Sequence, residues 1–289
     1  MNEVAHRAKE GSAEEISSQG RFEFGKNWNQ FIKVINESRI SQAEESLKTM
    51  LEIEDLSGKR FLDVGSGSGL FSLAAKGLGA KVHSFDYDPQ SVECTLELKR
   101  RYFSDDRNWV IELGDVLGVD YLNSLGKFDV VYSWGVLHHT GALWQALENV
   151  ILPVAPGGKL AISIYNDQGR MSLHWAALKK FYNQSSKPVR MLIVLAVGTL
   201  WFLHSALNRL IKFKNPLPFK EWADSKKDRG MSVWHDLIDW VGGYPFEVAK
   251  PEAVFDFYRK RGFNLVKLKT CGDRSGCNEF VFVRQNKES

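Results

Sequence analysis

Apolar runs and amphipathic segments alternate along the chain between residues 59 and 165. The runs are rich in β-branched and aromatic residues, which is typical of strands that are buried on both faces of a parallel sheet. Polar or glycine-containing segments separate them. The pattern predicts five strands, at Arg60–Val64, Lys81–Phe85, Trp109–Glu112, Phe128–Ser133 and Lys159–Tyr165.

Segments with apolar residues at helical spacing lie between these strands and predict helices. Such an alternation of strands and helices produces a mostly parallel sheet with right-handed crossovers. Pro156-Gly-Gly is a turn signal, and it predicts a turn immediately before the fifth strand. The predicted helices are Gly69–Leu78, Pro89–Tyr102, Val119–Leu125 and Leu143–Leu152.

The alternation is interrupted after the fifth strand. Residues 167–247 show no strand pattern. Regular structure then resumes, with a helix predicted at Pro251–Arg261 and strands at Phe263–Lys269 and Glu279–Arg284. We therefore predict three regions, which are a tail and helical lid in residues 1–58, a sheet domain in 59–166 plus 248–289, and a helical insertion in 167–247.

A glycine-rich loop follows the first strand. The sequence Phe-Leu-Asp-Val-Gly-Ser-Gly-Ser-Gly ends at Gly69, and its glycines allow a sharp turn against which a ligand can lie. Asp86 ends the second strand, about twenty residues further on. A carboxylate at that place can accept hydrogen bonds from both hydroxyls of a ribose. The combination predicts a site for an adenosine-bearing cofactor.

The spacing of the glycines separates two classes of cofactor. A dinucleotide fingerprint, G-x-G-x-x-G, would have its third glycine where this chain has Leu70. Asp63, just before the loop, would repel a pyrophosphate and attract the ammonium group of a sulfonium amino acid. The residues therefore favour S-adenosyl-L-methionine over NAD or FAD. The alternative is a glycine-rich turn that binds no ligand.

Ligands of α/β sheets bind at the carboxyl ends of the strands, so the residues after each strand are candidates. Asp115, after the third strand, is placed to accept a hydrogen bond from an adenine amino group. The predicted cofactor-binding residues are Asp63, Gly65, Ser66, Gly67, Gly69, Asp86, Tyr87, Asp115, Val116, Ser133 and Trp134.

The stretch Leu-Asp-Val-Gly-Ser-Gly-Ser-Gly from Leu62 resembles the first motif of class I S-adenosylmethionine-dependent methyltransferases. Residues 128–158 are similar to the branch that includes the ubiquinone-biosynthesis O-methyltransferases. The resemblance covers residues 59–165 well and the last two strands loosely. It implies an α/β fold with a Rossmann-like, mostly parallel seven-stranded sheet and an antiparallel C-terminal hairpin. An N-terminal helical lid and a helical insertion after the fifth strand complete the expected fold.

An aromatic and polar segment precedes the sheet domain. In the family that the chain resembles, such segments often fold over the cofactor, and Phe24 and Trp28 are candidates for this lid. The alternative is ordinary core packing of an N-terminal helix, since apolar residues recur at helical spacing from Ile32 to Leu51.

Three histidines are candidate bases. His138 and His139 follow the fourth strand, where the family places its substrate near the methyl group. A neutral imidazole there could take a proton from an attacking hydroxyl, and we favour His139 for this role. The alternative is a histidine that packs against the cofactor or caps a helix. His235 is a second catalytic candidate, in a segment that also fits an amphipathic helix.

The insertion contains an uncharged apolar segment, residues 191–208, with basic residues on both sides. A helix of this kind suits peripheral contact with anionic lipid, or with a lipid-like substrate. It equally suits a helix that is buried in the core or in a homodimer. Its length is borderline for a membrane span, which is the least favoured alternative.

Composition narrows the classes of function. The formal net charge of +3 gives no argument for nucleic-acid binding. Three cysteines at low density predict a reduced, cytoplasmic protein without a metal site, and the polar residues 1–7 give no sign of a secretory signal. We therefore predict methyl transfer to a small molecule, most favourably to an oxygen of a lipophilic or lipid-linked compound. The alternatives are an RNA methyltransferase and a non-catalytic cofactor-binding protein.

Overall fold

The structure is a computed structural model that describes Phe22, Gly25, Trp28 and residues 31–211, 233–272 and 275–286. Its described residues form two compact units. The larger unit lies within Glu23–Leu173 and Phe246–Ser289, and the smaller one comprises Phe22 and the described part of His174–Pro245. The predicted insertion, residues 167–247, therefore extends beyond the smaller unit at both ends.

A seven-stranded sheet forms the centre of the larger unit. Its strands are β1 (Arg60–Val64), β2 (Lys81–Asp86), β3 (Trp109–Leu113), β4 (Phe128–Trp134), β5 (Val154–Tyr165), β6 (Phe263–Lys269) and β7 (Cys277–Arg284). Their order across the sheet is β3-β2-β1-β4-β5-β7-β6. Strands β1 to β5 are parallel, whereas β7 is antiparallel to both β5 and β6. The predicted α/β class and the antiparallel hairpin are thus confirmed.

The start of β5 differs from the sequence prediction. The strand begins at Val154 rather than Lys159, because Val154 pairs with Phe128 and the ladder to β4 resumes at Lys159. Pro156-Gly-Gly therefore forms an irregularity inside the strand, and the predicted turn before the strand is wrong. The backbone of Gly157 has a positive φ of 71° there, which explains why the local sequence resembles a turn.

Helices cover both faces of the sheet. Phe61 and Leu62 are neighbours in β1 and point to opposite faces, so each belongs to a separate hydrophobic core. Leu47, Leu73 and Leu98 join the core around Phe61, and Leu147 joins the core around Leu62. The helices are α1 (Glu37–Leu51), α2 (Leu70–Gly77), α3 (Pro89–Tyr102), α4 (Val119–Ser124), α5 (Leu143–Asn149), α6 (Arg170–Gln184), α7 (Lys187–Ile211), α8 (Val233–Gly242) and α9 (Pro251–Arg259).

The chain leaves the sheet and returns to it at one place. Asn166, directly after β5, forms a parallel bridge with Ala249. The amide of Ala249 donates to the carbonyl of Tyr165 at 3.0 Å, and the amide of Asp167 donates to the carbonyl of Ala249 at 3.3 Å. The two ends of the intervening segment are therefore fixed side by side within the larger unit.

The smaller unit has its own hydrophobic core, formed by α6, α7 and α8. Val194 and Val197 of α7 are buried together with Leu237 and Val241 of α8 and with Tyr182 of α6. Helix α7 approaches α8 closely, since a Cβ on Gly198 would lie 2.7 Å from the Leu237 side chain. Three tryptophans, Trp175, Trp201 and Trp240, pack against one another in edge-on or tilted arrangements, with ring centroids 5.8 to 6.4 Å apart.

Candidate cofactor and acceptor site

The glycines of the loop between β1 and α2 adopt backbone conformations that other residues rarely adopt. Gly65, Gly67 and Gly69 have φ values of 79°, 56° and 80°. Space is also limiting, because a Cβ on Gly65 would lie 2.5 Å from the side chain of Val136. A Cβ on Gly69 would lie 2.8 Å from the Cα of Thr95. The loop therefore requires glycine for its turn and for its packing.

Asp86 links this loop to the end of β2. One of its carboxylate oxygens accepts from the amide of Gly67, and the other accepts from the amide of Asp88, both at 2.9 Å. Burial raises the pKa of Asp86 to about 6, against the lowering effect of these amides. A carboxylate has about four lone-pair positions, so Asp86 keeps acceptor capacity for ribose hydroxyls. Tyr87, the next residue, has an exposed side chain.

Asp63 is held inside the fold. It is 2% exposed, and the hydroxyl of Ser72 donates to its carboxylate. Ser72 also bonds to Ser84, which accepts from the indole N–H of Trp109 at 2.9 Å. Burial raises the pKa of Asp63 to about 7. From the sequence, we predict that Asp63 attracts the ammonium group of the cofactor. In the structure, the same carboxylate also belongs to an internal hydrogen-bond network.

The other predicted cofactor residues lie around the carboxyl ends of β1, β3 and β4. Ser66 shares a hydrogen bond with the hydroxyl of Thr95 at 3.0 Å, and Ser133 is buried and donates to the Val64 carbonyl at 3.0 Å. Asp115 accepts from the amide of Leu117 at 2.9 Å. Val116 is buried, and Trp134 is exposed. Ser133 therefore joins β4 to β1, where the strand order of the sheet reverses.

The N-terminal segment contacts the glycine loop. A Cβ on Gly67 would lie 3.2 Å from the indole nitrogen of Trp28, so this ring lies directly against the loop. The amide of Gly25 donates to the Asp88 carboxylate at 2.9 Å. Trp28 also packs edge-on against Phe31, with 5.9 Å between ring centroids. Phe24, the other lid candidate, lies outside the described residues.

Aromatic side chains surround the two histidines after β4. His138 is fully buried, its ring lies 3.9 Å from that of Tyr165, and its Nδ1 accepts from the Tyr165 amide at 3.3 Å. His139 is half-buried, and its ring is 5.4 Å from Tyr165. The ring of Phe246 also contacts Tyr165, with 5.1 Å between ring centroids. Since Nδ1 of His138 is already an acceptor, His139 is better placed to take a proton from a ligand.

Glu247 fixes the position of the turn that contains His138 and His139. This role was not predicted from the sequence. Its amide donates to the carbonyl of His138 at 3.0 Å. Its carboxylate accepts from the amide of Leu143, at 3.1 and 3.0 Å, and so caps the start of α5. The only sequence signal was an acid among aromatic residues just before the chain returns to the sheet domain.

The remaining sequence predictions concern His235, the cysteines and a metal site. His235 lies in α8, but its side chain is outside the described residues, so its catalytic role stays a prediction. All three cysteines are described, and none forms a disulfide. Among the described residues, no group of three or more His, Cys, Asp or Glu side chains could hold a metal ion.

Comparison with known proteins gives a family. Residues 35–235, more than half of the chain, match the family described as "Methyltransferase domain". The chain is 33% identical over 120 residues to the tRNA U34 carboxymethyltransferase of Klebsiella pneumoniae, which is 40% of this chain and 34% of that protein. The corresponding protein of an Enterobacter species is 32% identical over the same length. The chain thus spans about a third of the curated relatives that it matches.

Solved structures agree on the fold. Magnesium protoporphyrin IX methyltransferase from Synechocystis PCC 6803, with bound SAH, superposes with a TM-score of 0.51 at 12% identity, over 90% of this chain and 95% of that one. PKMT2 from Rickettsia typhi, in complex with AdoHcy, gives 0.53 at 14% identity, over 81% and 51%. The finer resemblance to ubiquinone-biosynthesis enzymes stays a prediction. The family match, the glycine loop with Asp86 and the sheet order together identify the chain as a member of the methyltransferase-domain family.

Proposed function

We propose that this enzyme transfers a methyl group to an oxygen of a small lipophilic or lipid-linked acceptor. The observation that carries the proposal is the aromatic cluster of His138, His139, Tyr165 and Phe246 at the carboxyl ends of β4 and β5. A cluster of aromatic rings suits an apolar acceptor that carries a hydroxyl group, because the rings can bury apolar surface while an imidazole receives the proton.

The proposed reaction needs positioning and one proton acceptor. An oxygen of the acceptor forms a bond to the methyl carbon, the carbon–sulfur bond breaks, and its electron pair stays on sulfur. The hydroxyl proton passes to His139. Asp86 binds the ribose and Asp115 the adenine, while Trp28 covers the glycine loop. Since the sulfonium is already a good electrophile, in-line positioning supplies much of the rate enhancement.

A second candidate is methylation of RNA. It is favoured by the 33% identity to a protein named tRNA U34 carboxymethyltransferase. That match covers about a third of the relative's length, so it extends to part of the chain only. The formal net charge of the whole protein is only +3, so its electrostatic attraction for a nucleic acid is weak. We therefore prefer the small-molecule acceptor.

Formation of S-adenosylhomocysteine with one acceptor or the other distinguishes the two candidate functions. The purified protein is incubated with S-adenosylmethionine and either a prenylated phenol or total tRNA. The matched control is the same phenol with its hydroxyl blocked as a methyl ether. We expect product with the free phenol alone. Product with tRNA and none with any of a panel of prenylated phenols would establish the second candidate instead.

A further inference from the structure

Helix α7 presents a long apolar surface to solvent. Its 25 residues are long and apolar enough to cross a membrane, yet only 11% of the most apolar 18-residue window is buried. The exposed fractions of Leu200, Leu203, Leu207 and Leu210 are between 55% and 65%. These four leucines recur at intervals of three and four residues, so they form one stripe along the helix. An apolar stripe of this length that no described residue covers marks an interaction surface.

The opposite face of α7 is fixed in the smaller unit. Val194 and Val197 are buried against α8, and Trp201 stacks on Trp175 and Trp240. A membrane span would require α7 to leave this core, which would expose buried apolar surface on α8. Among the described residues, this packing leaves the leucine stripe uncovered, so the helix can lie along a surface with its axis in the plane of that surface.

Charge identifies the surface. From Gln168 to Lys220, both included, the sequence contains no Asp or Glu and nine Lys or Arg residues, of which Lys179 is buried. Lys180 of α6 and Lys187 at the start of α7 have exposed side chains, and Lys212 and Lys214 follow α7 in the sequence. A leucine stripe that is accompanied by basic residues and by no acid matches the chemistry of an anionic bilayer, which offers hydrocarbon beneath a negative surface.

We propose that the leucine stripe of α7 docks the enzyme in the plane of an anionic lipid membrane. A second copy of the chain is disfavoured as the occupant, because helix pairs usually place acids opposite bases beside their apolar seam, and α7 contains no acid. RNA is disfavoured because the stripe consists of leucines rather than basic or hydrogen-bonding side chains. The proposal goes beyond the proposed function, since docking requires neither the cofactor nor an acceptor.

Co-sedimentation with vesicles tests the docking. The full-length protein is mixed with vesicles of phosphatidylcholine alone or of phosphatidylcholine with phosphatidylglycerol. The test variant is Leu203→Glu with Leu207→Glu. The matched control is Leu96→Glu with Leu268→Glu, which places the same two charges at exposed leucines of α3 and β6. S-adenosylhomocysteine binding by each variant confirms that the sheet domain is folded, and thermal melting reports on the rest.

We expect the wild-type protein and the matched control to sediment with the anionic vesicles, and less with the neutral ones. Added salt should release part of the bound protein, because it screens the basic residues. The test variant should bind at least about tenfold more weakly, since it no longer buries two leucines.

Several results would overturn the proposal. One is wild-type protein that stays in the supernatant with anionic vesicles, a test that depends on no variant. Another is a wild-type dimer that the substitutions of the test variant convert to a monomer, which would assign the stripe to a second copy. Binding to tRNA with no binding to vesicles would assign the basic stretch to RNA. Protein that resists alkaline carbonate extraction from vesicles would show a membrane span. Apart from binding to tRNA, none of these results bears on which acceptor is methylated.

Discussion

Replacing Asp86 by Asn tests the central assignment of the cofactor site. The change keeps the size of the side chain but removes its charge and one of its two acceptor oxygens. In the structure these oxygens already accept from the amides of Gly67 and Asp88. An Asn at this position can keep only part of that pattern, so few acceptor positions remain for a ribose.

The expected loss follows from the chemistry of this carboxylate. A hydrogen bond to a charged group contributes about 1.5–3 kcal/mol, so loss of one such bond weakens cofactor binding about 10- to 150-fold. The free energy of unfolding should rise by only about 0–2 kcal/mol, because two effects oppose each other. The raised pKa of about 6 means that the ionised Asp86 costs the folded protein about 3 kcal/mol at pH 8, and Asn removes this cost. One backbone amide loses its acceptor, which opposes that gain by about 1–3 kcal/mol.

The pH dependence gives the same test an independent signature. The pKa of Asp86 is raised in the folded protein, so the stability it contributes is complete below about 3.8 and is lost as the pH rises through about 6. Cofactor binding has the opposite dependence, because ribose hydroxyls donate to the ionised form. Wild-type affinity should therefore fall as the pH is lowered through about 6, whereas the Asn variant should lack this step.

Isothermal titration with S-adenosylhomocysteine between pH 5 and 8 measures both effects. The matched control is Asp129→Asn, because that carboxylate also accepts a backbone amide, from Arg60 at 2.8 Å, but at the amino end of β1. It should bind like the wild type. If Asp86→Asn retains wild-type affinity at pH 8 while remaining folded, the ribose assignment is wrong.

Three further predictions concern the loop, the lid and the base. Gly69→Ala should lower the melting temperature strongly, because the new Cβ would stand at a φ of 80° and too close to Thr95. Gly272→Ala, at a φ of 63° with open space around it, should lower the melting temperature less. Equal losses would contradict the packing argument. Trp28→Ala should speed dissociation of S-adenosylhomocysteine in stopped-flow measurements, and an unchanged rate would remove Trp28 from the lid. His139→Gln should spare S-adenosylhomocysteine binding but slow turnover by about 100-fold or more if His139 is the base; normal turnover would exclude that role.

The strands were predictable wherever burial on both faces forced an apolar run. Arg60–Val64 has the predicted bounds, and so does Phe263–Lys269. The start of β5 was not predictable from local signals, because Pro156-Gly-Gly has the sequence of a turn and Gly157 indeed has a positive φ. The strand begins earlier because Val154 pairs with Phe128, and local sequence carries no signal for a contact between residues far apart in the chain.

The site was predictable where a motif required particular residue types. The loop glycines and Asp86 lie together because strand ends of a parallel sheet share one edge. The difference between His138 and His139 depends instead on which way a short turn faces, and neighbouring histidines give no sequence signal for that. Glu247 acts on residues about a hundred positions earlier, and helix α7 is equally apolar whether it is buried or exposed.

The bridge between Asn166 and Ala249 has an evolutionary and practical consequence. Because the chain departs and returns at neighbouring positions, the segment between them can be replaced by another of different length without changing the spacing of any strand. The larger unit, which contains the candidate cofactor site, can therefore accept different insertions at this place. Recombination at these two positions, in nature or in the laboratory, offers a route to a different acceptor while the cofactor site is kept.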